Sequence, residues 1–161
     1  KISPSRACIS NAMNVGHPSN LARFFDLFGG TVDRVGQVHK YPDLEEMRKH
    51  IFSVSVTDAQ TREIIKSVYK RYNVILEQHG AVGWAGLEEY LKIVPEQKLA
   101  ICLETAHPAK FPEEIQNLLG INPPLPESMK NLDQRTGSAI AIQNHYEDFK
   151  NYLRKNLKIK E

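Results

Sequence analysis

The sequence predicts an α/β protein, part of a parallel sheet with helices on both faces. Three observations carry this. Short apolar runs at 51–56, 74–76 and 99–103 alternate with longer segments of helical periodicity. The runs read as apolar on both faces, as strands covered by helices must be. Strand, helix, strand, helix, strand, helix is the order that right-handed βαβ crossovers produce.

Each element has its local reason. Over residues 18–28, Leu21, Phe24, Phe25 and Phe28 recur at i, i+3, i+4 and i+7, which predicts a helix that Gly29-Gly30 stops and Asn20 caps. The aromatic cluster on it reads as core. Pro42 opens a shorter helix with Leu44 and Met47 on one side. Residues 51–56, Ile-Phe-Ser-Val-Ser-Val, are a strand. Thr57 and Gln60 form a capping box for a helix that runs to about Tyr72, with Ile64, Ile65, Val68 and Tyr69 inward. Val74-Ile75-Leu76 is a second strand, followed by the turn His79 to Gly83 and a helix bearing Trp84, Leu87 and Leu91. The third strand is Leu99 to Leu103. Pro112 opens a helix whose Glu113 and Glu114 suit its positive end, and Gly120 closes it. Three prolines within 121–126 make a linker. Asn144 and Glu147 cap a last helix carrying Phe149, Tyr152, Leu153 and Leu157.

Composition excludes several classes. The 161 residues suit one domain, with 41% hydrophobic and 25% charged residues, an ordinary globular balance. A net charge of +2 points to no polyanion, so no nucleic-acid partner is expected. The basic residues Lys150, Arg154, Lys155, Lys158 and Lys160 read as the solvated C-terminal end of a helix. No run reaches the length of a membrane span, and Lys1-Ile2-Ser3-Pro4-Ser5 is no signal peptide. Cys8 and Cys102 are in no metal spacing and read as reduced thiols, so the expected location is cytoplasmic. No metal ligand set is expected. The first residues read as mid-domain, so the chain is expected to be a fragment.

In parallel sheets ligands sit beyond the carboxyl ends of the strands. Thr57-Asp58, His79 to Gly83 and Glu104 to His107 lie there. A hydroxyl such as that of Thr105 donates a hydrogen bond without losing its proton, and its other reading is a turn cap. The N–H groups of Ala81, Val82 and Gly83 open a helix and suit an anion, or else serve helix–strand packing. His79 and His107 are candidates for acid–base or phosphate-binding work, to which histidine as a residue type is suited. Each reads equally as a buried histidine that holds loop backbone. Lys110 reads as solvated or ion-paired.

Four segments resemble threonine synthase, in that family's order. SNAMNVGHPSN, residues 10–20, is close to the family pattern S-P-A-M-D-V-G-N-P-S-N. The run from Val56 through the helix to Tyr72 is the second. EQHGAVGW, residues 77–84, is similar to [DE]-P-H-[TAG]-A-V, and TAHPAKF spans residues 105–111. Asn11 stands where the first pattern has proline, with Pro4 out of register. Asn14 and His17 stand where Asp and Asn are common, and Gln78 replaces a proline.

The resemblance implies a fold-type II enzyme of threonine biosynthesis that uses pyridoxal phosphate (PLP). Such a lyase converts O-phospho-L-homoserine and water to L-threonine and phosphate. It also implies that residues 1–161 are the C-terminal portion of the catalytic domain. Thr105 would hydrogen-bond the cofactor's pyridine nitrogen, with Ala81, Val82 and Gly83 beside the cofactor and Asn11, Asn14, His79 and His107 near the substrate. The Schiff-base lysine and the Gly/Asn-rich phosphate-binding loop would lie upstream of residue 1. The partner implied is then the missing N-terminal part, and the fragment alone would be inactive. Two other readings stand beside this one, a fold-type II lyase with another substrate and a non-catalytic module of the same fold.

Overall fold

A computed structural model describes residues 5–12, 14–16, 18–96, 99–132 and 134–157. Pro4, His17, Lys158 and Lys160 lie outside them. The chain divides into two compact units, Lys1–Pro124 and Leu125–Glu161. The boundary falls in the proline-rich stretch expected to be a linker.

Six helices are formed among the described residues. They are α1 Asn20–Leu27, α2 Leu44–His50, α3 Asp58–Tyr72, α4 Gln78–Ile93, α5 Pro112–Leu119 and, in the second unit, α6 Tyr146–Asn156. The capping box at Thr57 and Gln60 is present, and Asn73 in the left-handed region ends α3. Gly120, with φ 69°, ends α5 in the same way.

Other ends differ from expectation. Asn20 does not cap α1: Ser19 holds that position without a side-chain bond, while Asn20 accepts from the Arg23 guanidinium at 2.9 Å. The second helix begins two residues after Pro42, because Asp43 accepts from Glu46 N and caps it. Asn144 does not cap α6. His145 is its cap residue, without a side-chain bond, and Glu147 is held by Lys150 at 3.3 Å. The α1 aromatics are not core, since no residue of α1 is buried and Phe24 is 46% exposed.

The core lies where α3, α4 and α5 meet. Thr61, Ile65 and Val68 form the buried stripe of α3 at i, i+4 and i+7. Ile65, Val68, Leu76, Ala81 and Ile115 pack together, with Trp84, Leu118 and Ile121 against them. Burying Ile65 and Ile115 completely contributes about 1.5–3 kcal/mol each.

The expected parallel sheet is not formed among the described residues. Their one sheet is an antiparallel pair, β1 Thr31–Val32 with β2 Val38–Lys40. Sequence reasoning missed this hairpin. Asp33 shapes its turn by accepting from Val35 N and Gln37 N, and Gly36 supplies φ 80°. The runs 51–56, 74–76 and 99–103 form no strand. A parallel strand needs a hydrogen-bonded neighbour at about 4.8 Å, and these runs do not provide one for each other. Their outer side chains stay open: Leu99, Ile101 and Leu103 are 75%, 81% and 76% exposed.

Candidate functional site

The ends of the runs 74–76 and 99–103 meet at the N-terminus of α4. Glu77 follows Leu76, is fully buried and caps α4, accepting from His79 N at 2.9 Å and Gly80 N at 2.8 Å. A carboxylate at this end offsets the partial positive charge of the free N–H groups. Its Oε2 also bonds His79 Nδ1. The other ring nitrogen, Nε2, accepts from Ala12 N at 3.2 Å. That pairing makes the neutral ring a donor at Nδ1 and an acceptor at Nε2.

Glu104 reaches the same helix end from the run 99–103. Its Oε1 accepts from Glu77 N at 3.3 Å. A Cβ on Gly80 would lie 2.6 Å from Oε1 and closer still to Oε2, so only glycine admits this carboxyl. Cys102 packs one turn along, its Sγ 3.2 Å from where a Cβ on Gly83 would stand. The Cys102 thiol and the Glu104 carboxyl therefore reach α4, and Leu103, Glu104 and Thr105 are exposed residues. Burial pushes the Glu104 carboxyl up to about 7, opposed by the Glu77 N–H and reinforced by the neighbouring Glu77 carboxyl. Burial and Glu104 also raise the Cys102 thiol.

Ile9, Ala12 and Asn14 close the arrangement. Ile9 N donates to Asp58 Oδ1 at 3.2 Å, and Ala12 N to His79. The Asn14 amide donates to Arg6 O and, at 3.3 Å, to Cys8 Sγ. The first residues of α3 and α4 thus hold the same loop. Phe111 packs against His79 with the rings tilted by 46° and their centroids 5.4 Å apart. Beside it opens a cleft lined by Ile9, Gln78, Lys110, Phe111 and Asn117. Gln78 is 5% exposed, and its Oε1 has no hydrogen-bond partner among the described residues.

Most of the residues singled out in the sequence serve structure here. The helix starts at Gln78, a turn earlier than expected. Ala81 N therefore bonds Glu77 O at 2.9 Å, and Val82 and Gly83 lie inside the helix. Their N–H groups are not an open anion cradle, because Glu77 already fills that helix end. His79 is held at both ring nitrogens. His107 is exposed and caps a 3-10 turn, accepting from Ala109 N at 3.1 Å. Asn14 is bound to its own loop. Asn11 and Thr105 are exposed, and no hydrogen bond engages either side chain among the described residues. Lys110 is exposed and lines the cleft.

Glu77 and Glu104 were the residues missed as partners. The available signal was an acid directly after each of two predicted strands, Leu76 and Leu103. Strand ends of one sheet lie side by side, so two such acids are candidates for contact.

Comparison with known proteins matches this order of segments. Residues 80–153 match the family model described as threonine synthase, C-terminal. Threonine synthase of Haemophilus influenzae is 32% identical over 150 residues, covering 93% of this chain and 31% of that protein. That of Escherichia coli is 28% identical over 145 residues, covering 90% and 29%. The crystal structure of PLP-bound threonine synthase from Brucella melitensis superposes with a TM-score of 0.72 at 24% identity, over 96% of this chain and 35% of that one. At that identity the likeness shows the fold. The chain spans about a third of the length of the curated relatives it matches.

Proposed function

The chain belongs to the threonine synthase family as a C-terminal portion, and from that premise we propose that the whole protein converts O-phospho-L-homoserine and water to L-threonine and phosphate with PLP. Residues 1–161 serve there as the C-terminal portion of the catalytic domain. The remaining two-thirds brings the lysine that carries the cofactor. The runs 51–56, 74–76 and 99–103 join strands from that part in a parallel sheet covered by helices. The exposed Leu99, Ile101 and Leu103 support this, since such a sheet would bury them. The cytoplasm is the compartment this reading implies.

The observation that carries the reading is Thr105. It stands just past the apolar run 99–103, exposed, with no hydrogen bond on its hydroxyl among the described residues. A hydroxyl so placed fits the ring nitrogen of PLP. It donates without holding that nitrogen fully protonated, as a carboxylate would. When bound, PLP supplies the electron sink for proton loss at carbon and departure of phosphate. This chain's residues orient and support. Thr105 meets the ring nitrogen, and Asn11 is free to meet substrate. Asn14, His79 and His107 hold the loops on which those two stand, and this reading gives Ala81, Val82 and Gly83 no direct cofactor contact.

The test is phosphate release by the whole protein on O-phospho-L-homoserine and on O-phosphoserine, with the amino-acid product identified. Threonine and phosphate from the first substrate are expected. Preference for phosphoserine, or no turnover on phosphohomoserine, would overturn the reading.

A further inference from the structure

We propose that Glu104 is a positioning residue for Thr105: seated on the α4 N-terminus against Glu77, in the space that glycine leaves at position 80, its carboxyl fixes the turn that carries the hydroxyl to the cofactor. This deepens the reading above and rests on it.

The geometry stands on three side-chain facts. Glu104 Oε1 takes the Glu77 N–H at 3.3 Å. The room for the carboxyl exists because Gly80 has no Cβ, which would otherwise sit 2.6 Å from that oxygen. Cys102 is docked beside Gly83 on the same side of the run. With the side chains of 102 and 104 both against α4, the next residue, Thr105, stands exposed. Remove the grip of Glu104, and the residue next to Thr105 has nothing to fix it on the helix.

The electrostatics make this grip a shared-proton contact. The groups facing the Glu104 carboxyl are Glu77, the His79 ring behind Glu77, and the Cys102 thiol. None is a fixed cation. The two carboxyls are in hydrogen-bonding contact, where both cannot comfortably be ionised, and Glu104 is the one held protonated up to about 7. Protonated, it donates to Glu77 while its carbonyl oxygen accepts from Glu77 N. Ionised, it is repelled, and the turn is released.

The experiment compares Glu104→Ala, Glu104→Gln and Gly80→Ala in the whole protein with PLP bound. It reads kcat, KM and the visible absorption band of the cofactor across pH 5.5 to 8.5. Gly80→Ala evicts the carboxyl without deleting it, and the clash falls on the free end of a flexible side chain, so folding is retained. Glu104→Ala and Gly80→Ala are expected to lower kcat on the order of 10-fold or more, through misplacement of Thr105, with KM changed less than about 3-fold. Glu104→Gln keeps one donor and one acceptor, so it should recover most of the lost rate. It should also remove the component of the cofactor band that titrates near 7. Wild-type kcat in Glu104→Ala, no recovery in Glu104→Gln, or an unchanged pH profile there would each overturn the inference. A protein that binds no PLP overturns the inference and the reading together. One that binds PLP yet leaves phosphohomoserine intact overturns only the reading, and the cofactor band then still judges Glu104.

Discussion

Replacing Gln78 by proline should stabilise the first unit, although it inserts proline into a helix. Gln78 is the first residue of α4, the N1 position, where the backbone N–H has no intrahelical acceptor. Proline also needs the preceding residue outside the α region, and Glu77 has φ −89° and ψ 172°. The glutamine itself is a poor fit. It is 5% exposed with Oε1 unpartnered, a state that costs about 1–3 kcal/mol. Proline removes that cost and adds about 0.4–1 kcal/mol by restricting the unfolded chain. Against this stands the loss of roughly one buried methylene beside Ile9 and Phe111, about 0.8 kcal/mol. The balance is a gain of about 0.6–3 kcal/mol. The single tryptophan, Trp84, packs against the core of this unit, so its fluorescence follows urea unfolding there. A midpoint shifted to higher urea at unchanged slope is expected. A loss of about 0.5 kcal/mol or more would show that the Gln78 amide is satisfied or that its N–H is needed.

Three further outcomes follow from the same contacts. Glu77→Ala deletes the acceptor of two N–H groups and of His79 Nδ1. Local opening at residues 79–81 should ease by about 2 kcal/mol, seen as roughly 30-fold faster hydrogen exchange; protection equal to wild type would count against the cap. Ile65→Ala, at a fully buried site, should cost about 2–5 kcal/mol, whereas Phe24→Ala on the half-exposed α1 should cost far less, so equal losses in urea unfolding would contradict the assigned core. The Glu104 carboxyl has its folded value raised from 4.5 to about 7. Its contribution is therefore fully present below about 4.5 and is lost as pH rises through 7. Glu104→Gln should flatten that part of the stability–pH curve, and a curve parallel to wild type would refute the assignment.

Local chemistry was legible where one residue decides it. Thr57 with Gln60 and the stop at Gly120 depend only on neighbours, and both are as expected. The order of helices was equally readable from periodicity, because burying one face of α3 needs Ile65 and Val68 on one side whatever lies beyond. Ladders were not legible, since pairing is decided by a neighbouring strand and not by the run itself. Leu99, Ile101 and Leu103 have the composition of a central strand and yet are 75%, 81% and 76% exposed. The site divides in the same way. Thr105 was singled out because a motif surrounds it. Glu77 and Glu104 escaped because an acid after a strand usually meets water. What makes these two exceptional is a third residue, Gly80, which as a glycine in a helix appears only as a cost of about 0.5–1 kcal/mol. That cost has a cause once the missing Cβ is seen to be the space for the Glu104 carboxyl. Gly80→Ala therefore separates the two roles of the position: helix propensity improves while the grip on the Thr105 turn is lost. An increase in helix stability accompanied by a fall in turnover is the combination that only the second role explains.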